Sequence, residues 1–238
     1  MNRKIRLGID VGGTFTKAIA IDIGSGSFLG RTTVPTTHKS ERGVAEGIII
    51  ALRELMKNYN IQKSEIELIS HSTTQAVNAL LEGDTAKVGI IGMGVGLEKS
   101  NVVKRTNIKD IELSLNKHLQ TCYRFLDTSK YLEKDEIMSA ISALKQEGAK
   151  VLVVSEAYGV DDPSNEQYVM TNSDIPITAG HELTGIYGLE IRTITAAINA
   201  GIMPKAISTA KYVENVVRQE NINCPIMIMK GDGGVTDI

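Results

Sequence analysis

From Ile5 to Val11 apolar side chains alternate with Arg6, Gly8 and Asp10, the two-residue period of a strand with one buried face. Gly12-Gly13 follows, and residues 16–22 resume a strand pattern, so the pair reads as a hairpin. A second turn at 23–26 leads to a third strand over 27–34, giving an opening meander. At 41–58 the period changes: Val44, Ile48, Ala51, Leu52 and Leu55 fall on one helical face. Residues 65–70 predict a short strand, 74–81 a short helix ended by Gly83, and 87–91 another strand. No period is legible over 97–132. Residues 133–146 predict a helix stopped by Gly148, and Val151–Val154 is wholly apolar, as strands covered on both faces are. Asp162-Pro163 opens a helix. Residues 186–200 and 205–219 read as two helices separated by Met203-Pro204, and Pro225–Met229 as a last strand. Strands alternating with helices after a meander predict an α/β fold with a mixed sheet, with a weak boundary near 178–185.

Composition narrows the class without naming it. The chain has 238 residues, 42% hydrophobic and 23% charged, which is ordinary for a globular protein. Aromatics are 4% and Trp is absent, so the core is expected to be aliphatic. The net charge of −2 comes without a basic block, which argues against nucleic acid as a partner. No apolar run approaches the roughly 18–20 residues of a membrane span, and Arg6 and Asp10 interrupt the first apolar stretch, so neither a membrane nor a signal peptide is expected. Cys122 and Cys224 lack His or Cys neighbours at ligand spacing; both read as plain thiols and fit a cytoplasmic protein.

Candidate chemistry concentrates at Asp10-Val11-Gly12-Gly13-Thr14-Phe15-Thr16. The spacing is neither that of a dinucleotide fingerprint nor that of a P-loop. It still has what a phosphate needs. Gly12 and Gly13 let backbone N–H groups approach, Thr14 and Thr16 carry hydroxyls, and Asp10 at a strand end can hold a water of Mg²⁺. A plain hairpin turn would use the same glycines. The chain then repeats the arrangement: after Pro225–Met229 come Asp232, Gly233, Gly234 and Thr236. Two strand–Asp–Gly-Gly turns in one α/β chain favour a pair of phosphate loops over two coincidental turns.

The two loops resemble the first and second phosphate loops of the actin-like ATPase superfamily. Three stretches are similar to the hydantoinase/oxoprolinase family within it. Gly8–Thr16 matches the opening motif of that family. His71-Ser72-Thr73-Thr74 through Asn78-Ala79-Leu80-Leu81-Glu82 resembles its His-Gly-Thr-Thr segment, and Met229–Gly234 its Met-Gln-Ser-Asp/Asn-Gly-Gly loop. Ser72 stands where Gly is usual and Gly231 where Ser is usual, and the segment after Ile91 lacks a Gly-Phe-Arg-Asp pattern. These departures bear on the substrate more than on the nucleotide.

The resemblance implies an actin-like, ribonuclease H-like mixed sheet with flanking helices in an incomplete two-lobed architecture. Residues 1–178 would form the lobe with the first phosphate loop, and 179–238 would begin the region with the second. A further lobe is expected beyond Ile238, with activity absent from this portion alone. The implied reaction is ATP-dependent hydrolytic opening of a cyclic amide such as a hydantoin or 5-oxoproline. Asp10 and Thr14 would be catalytic, with Asp10 on Mg²⁺ through water, and Gly12, Gly13, Thr14, Thr16, Asp232, Gly233 and Gly234 would bind ATP. Secondary candidates are His71, Thr73, Asn78 and His181. His71–Thr74 also reads as a helix cap, and His181 as an ordinary hydrogen-bonded histidine. Glu156 is marked only by its place at a strand end, where α/β sheets often bind ligands. Partners implied are the cyclic amide, a second enzyme subunit and an oligomer. Alternatives on the same fold are a non-catalytic nucleotide-binding module, a small-molecule kinase, and a subunit of an ATP-dependent carboxylase.

Overall fold

The computed structural model describes residues 3–37, 44–73, 75–230 and 233–237. In chain order the elements begin β1 (Ile5–Val11), β2 (Phe15–Asp22), β3 (Phe28–Pro35), α1 (Val44–Asn58), β4 (Ile66–Thr73) and α2 (Gln75–Glu82). They continue β5 (Val88–Gly94), α3 (Lys99–Thr106), β6 (Ile111–Ser114), β7 (Lys117–Leu119), β8 (Thr121–Asp127), α4 (Lys134–Gln146) and β9 (Val151–Glu156). The chain closes with α5 (Ser164–Thr171), β10 (Ile177–Ala179), α6 (Gly180–Leu183), α7 (Leu189–Gln219), β11 (Ile226–Met229) and β12 (Val235–Asp237). Two compact units result, Met1–Val77 with Lys205–Ile238, and Asn78–Pro204.

The first unit is a mixed sheet of order β12-β11-β4-β1-β2-β3. The predicted meander is its antiparallel part, whereas β4 and β11 run parallel to β1. Ile5, Leu7, Ile9 and Val11 are buried while Arg6, Gly8 and Asp10 face the other way, as the alternation requires. On the buried face they pack with Ile48, Leu52 and Leu55 of α1 and with Val213, Val216 and Val217 of α7. Gly30 belongs here for a steric reason. A Cβ there would lie 2.0 Å from the Tyr59 ring, so only glycine lets β3 pass beneath it.

The second unit holds a sheet of order β10-β9-β5-β8 whose neighbours are all parallel. β5 and β9 are buried at every position. One face packs Leu144, Leu152, Val154 and Val169; the other packs Val88, Ile90, Val151 and Val153 on Ala196, Ala197 and Ala200. A strand covered on both faces loses the alternation and reads as an apolar run.

One unread segment takes form and one expectation is corrected. The segment 97–132, which carried no legible period, forms α3, the β6–β7 hairpin and β8. Its strands are short, and α3 buries only Val102 and Thr106, so neither period had room to build up. The two helices expected around Pro204 are one helix, α7. An interior proline costs about 3 kcal/mol. Burial of Ala196, Ala197 and Ala200 before it and Val213, Val216 and Val217 after it offsets that cost. Cys122 and Cys224 are both buried and free, and burial pushes both thiols up. No helix among the described residues is long and apolar enough to cross a membrane.

Candidate functional site

β1, β4 and β11 are parallel neighbours, so their carboxyl ends share one edge of the first sheet. The β1–β2 turn and the β11–β12 turn both leave that edge, two strand spacings or about 10 Å apart. The two loops that the sequence proposed as a pair are thus brought together by the sheet order.

The first turn is tightly built. Gly12 N–H donates to the Phe15 carbonyl at 3.1 Å, and a Cβ on Gly12 would sit 2.9 Å from that same oxygen. The Thr36 hydroxyl donates to the Gly12 carbonyl at 2.8 Å, and Thr36 N–H donates to the Thr14 carbonyl at 2.9 Å. Gly13 and Thr14 are exposed at the tip. Thr16 is buried, its hydroxyl 3.2 Å from that of Thr36, so it braces the loop and offers nothing to the surface. In the second turn Lys230 N–H donates to the Gly234 carbonyl at 2.7 Å, and Gly233 N–H to the Lys230 carbonyl at 3.0 Å. Gly233 has φ +86°, a left-handed conformation that glycine takes freely. Asp232 lies outside the described residues.

Asp10 stands on the outward face of β1. The register places Lys17 beside it on β2 and Ser72 beside it on β4. Ser72 Oγ donates to Asp10 Oδ1 at 3.0 Å. Together with Gly8, Ile19, Ser70 and Met229 these residues line a cavity of about 200 Å³. Mg²⁺ is held through one or two carboxylates, with water and phosphate oxygens completing its shell. Asp10, with Oδ2 making no hydrogen bond among the described residues, fits that demand. Groups of three or more His, Cys, Asp or Glu that could cage a metal are absent among the described residues.

The other histidine candidates fall elsewhere. His71 pairs in register with Ile9, on the buried face, opposite to Asp10 and Ser72. It is 1% exposed, neither ring nitrogen has a partner among the described residues, and burial pulls its pKa below the ordinary value. It is a core residue and does not reach the Asp10 face. Thr73 closes β4, and its side chain and Thr74 lie outside the described residues. Asn78 is on α2, half-buried, and it and His181 belong to the second unit.

His181 has a partner that its sequence position did not reveal. Its Nδ1 pairs with Glu166 Oε2, and Glu166 is 0% exposed. Glu166 also accepts from Glu156 N–H at 2.7 Å and from His181 N–H at 3.3 Å. Glu156, at the end of β9, accepts from Asn165 Nδ2 at 3.0 Å; burial above all pushes its carboxyl up. Arg192, 1% exposed, donates Nη2 to the Glu156 carbonyl at 2.5 Å and Nη1 to the Ile186 carbonyl at 2.9 Å. Sequence reasoning missed Lys17, Thr36, Glu166 and Arg192. Lys17 could have been found by writing out the hairpin register from Gly12-Gly13. The other three act through contacts between residues far apart in the chain.

Residues 6–173 match the hydantoinase/oxoprolinase N-terminal region and residues 192–238 the hydantoinase/oxoprolinase domain. The chain belongs to the hydantoinase/oxoprolinase family. These matched regions meet between 173 and 192, whereas the compact units divide at Val77/Asn78 and Pro204/Lys205, so the two partitions differ. Caprolactamase subunit alpha of Pseudomonas jessenii is 24% identical over 98% of the chain and 36% of that subunit. The acetophenone carboxylase gamma subunit of Aromatoleum aromaticum is 21% identical over 97% of the chain and 35% of that subunit. Among solved structures, nucleotide-free acetone carboxylase superposes with a TM-score of 0.67 at 20% identity, over 99% of this chain and 37% of that one. The ATP-dependent caprolactamase of Pseudomonas jessenii gives 0.66 at 22% identity, over 97% and 36%. The chain therefore has the hydantoinase-type α/β fold and spans about a third of the length of these relatives.

Proposed function

We propose that this chain is the ATP-binding N-terminal part of an enzyme that couples ATP to hydrolytic opening of a cyclic amide. One observation carries the reading. Two Gly-Gly turns leave the same edge of one sheet, and a carboxylate, Asp10, stands on the outward face of β1 just before the first of them. The N–H groups of Gly12 and Gly233 close the two turns, and the exposed tip of the first turn, with the Thr14 hydroxyl, would face the phosphates. Lys17 supplies positive charge on the same face as Asp10. Such preorganised groups are where most of the catalysis of phosphoryl transfer resides. Asp10 would hold Mg²⁺ through water, and the bound ion supplies charge neutralisation on the phosphates.

The amide oxygen attacks the γ-phosphorus, an O–P bond forms and the β–γ bridge breaks, releasing ADP. Water adds to the activated carbon, the ring C–N bond breaks as the nitrogen takes a proton, and a second water cleaves the resulting acyl phosphate, releasing phosphate and the open-chain acid. Amide resonance makes the uncoupled hydrolysis slow, and phosphorylation removes that protection. A second subunit is part of this proposal, since the relatives carry the names alpha and gamma subunit.

A second reading has equal support from likeness. The carboxylase and the lactamase superpose almost equally, at TM-scores of 0.67 and 0.66. ATP-dependent carboxylation would require bicarbonate and leave a new carboxylate on the substrate, whereas ring opening requires neither. The test of the common element is Asp10→Ala in the full-length enzyme. ATP turnover should fall about 10²–10³-fold, as it does when a preorganised transition-state partner is lost. Turnover unchanged in that variant rejects the reading.

A further inference from the structure

The second unit carries a cavity that the phosphate loops do not use. In its parallel sheet the chain leaves β5 for β8 on one side, and β9 lies on the other side. The carboxyl ends of β5 and β9 therefore form a topological switch point, the crevice where open α/β sheets bind ligands. A cavity of about 260 Å³ lies there. One wall is a single face of α3 and its cap: Glu98, Asn101, Val102 and Arg105 follow the i, i+3, i+4, i+7 rule. Ala157 and Tyr158, just past β9, form the second wall, with Tyr187 and Leu189 as the third.

The walls are fixed from behind. Arg192 donates to the carbonyls of Glu156 and Ile186 and so ties together the starts of the second and third walls. The Tyr187 hydroxyl donates to Asp161 at 2.6 Å. Ala157 N–H donates to the Met93 carbonyl at 2.9 Å, joining the ends of β9 and β5. Tyr158 has φ +65°, an uncommon conformation for a bulky residue, and it is 62% exposed beside the cavity. Strain of this kind clusters at ligand sites.

The charge pattern sets the ligand class. Among the described residues Glu98 and Arg105 are the only acidic and basic side chains lining the cavity, and both are exposed. They are seven residues apart, about 10 Å along a helix at 1.5 Å per residue. Neither makes a side-chain hydrogen bond or ion pair among the described residues. Acid before base along a helix also complements its dipole, so the order alone says nothing of a ligand. The cavity between them does, because Val102, Leu189 and the tyrosine rings give its middle an apolar lining. We propose that this cavity is a binding site for a small ω-amino acid, its carboxylate on Arg105, its ammonium on Glu98 and its methylene chain over Val102 and Leu189. Hydrolytic opening of a lactam yields a molecule of this class. That connection rests on the proposed function, but the site does not.

The test is calorimetric titration of the full-length protein, without ATP, with 6-aminohexanoate, hexanoate and hexylamine. Binding of 6-aminohexanoate should saturate, and each singly charged analogue should bind about tenfold more weakly, the effect of losing one charge-assisted contact. Arg105→Ala and Glu98→Gln should each weaken 6-aminohexanoate about tenfold with the unfolding temperature unchanged, since both side chains are exposed. No saturable binding, or equal binding by the parent and both variants, overturns the proposal. Because ATP is absent, a protein that binds the zwitterion but turns over no ATP rejects the proposed function and leaves this site standing.

Discussion

In the first unit the sheet buries Ile5, Leu7, Ile9 and Val11 and leaves Asp10, Lys17 and Ser72 on an open face. In the second, β5 and β9 are covered on both sides, and the charged groups Glu166 and Arg192 lie inside. The two regions place polar groups by different means. An open face needs only the two-residue alternation of a strand, so its carboxylate and its glycine turn are local in sequence. A doubly covered sheet has no such face, and each buried charge must be met by partners from elsewhere, because an unmet one is costly. Glu166 meets the backbone of Glu156 and of His181 together with the His181 ring, and Arg192 meets two carbonyls. Removing a polar group should thus damage turnover in the first unit and stability in the second.

The largest effect on stability follows from Glu166→Ala. Two backbone N–H groups and the His181 ring lose their acceptor inside the protein, at a cost of about 3–5 kcal/mol. Urea unfolding checks this, and a midpoint close to that of the parent would break the contrast. Glu166→Gln keeps one carbonyl oxygen for the Glu156 N–H and should cost less. On the open face a comparable deletion is smaller and of another kind. Ser72→Ala removes one hydrogen bond to Asp10, worth about 1 kcal/mol, so ATP turnover should drop about five- to tenfold with no change in the unfolding midpoint. A loss confined to KM would mean that Ser72 contacts the nucleotide and does not position Asp10.

The same contrast explains what was legible in the sequence. The meander, α1, β4 and the Gly-Gly turns were readable because each is a local pattern, and the hairpin register carries Lys17 to Asp10 without further information. Val151–Val154 was readable as a doubly buried strand for the same reason. The segment 97–132 was not, since β6 and β7 span four and three residues, fewer than a period needs to declare itself. Pro204 marks a place where tertiary burial overrides a local rule. His71 and His181 looked alike as lone histidines, yet one is a core residue on the far face of β4 whose ring meets no side-chain partner among the described residues, and the other is oriented by a buried carboxylate. Only the fold distinguishes them, because the partner, or its absence, lies in another part of the chain.

The smallest effects sharpen the comparison through pH. Burial depresses His71 below its ordinary 6.5, so its share of stability is full above that value and is lost as pH falls through the folded value. Burial raises Glu156 above its ordinary 4.5, so its share is full below that value and is lost as pH rises through the folded one. Glu166 and Asp162, both acidic, push Glu156 in the same direction, while Asn165 and Thr128 oppose it. The two units therefore contribute opposite slopes that partly cancel in the intact protein. His71→Leu should flatten the fall in unfolding free energy as pH drops below the ordinary 6.5. Glu156→Gln, which keeps an acceptor for Asn165, should stabilise the protein most on the neutral and alkaline side and leave the acid side nearly unchanged. If both variants shift the profile in one direction, burial is not what perturbs one of them. The difference between an open and a doubly covered sheet would then not extend to its titrating groups.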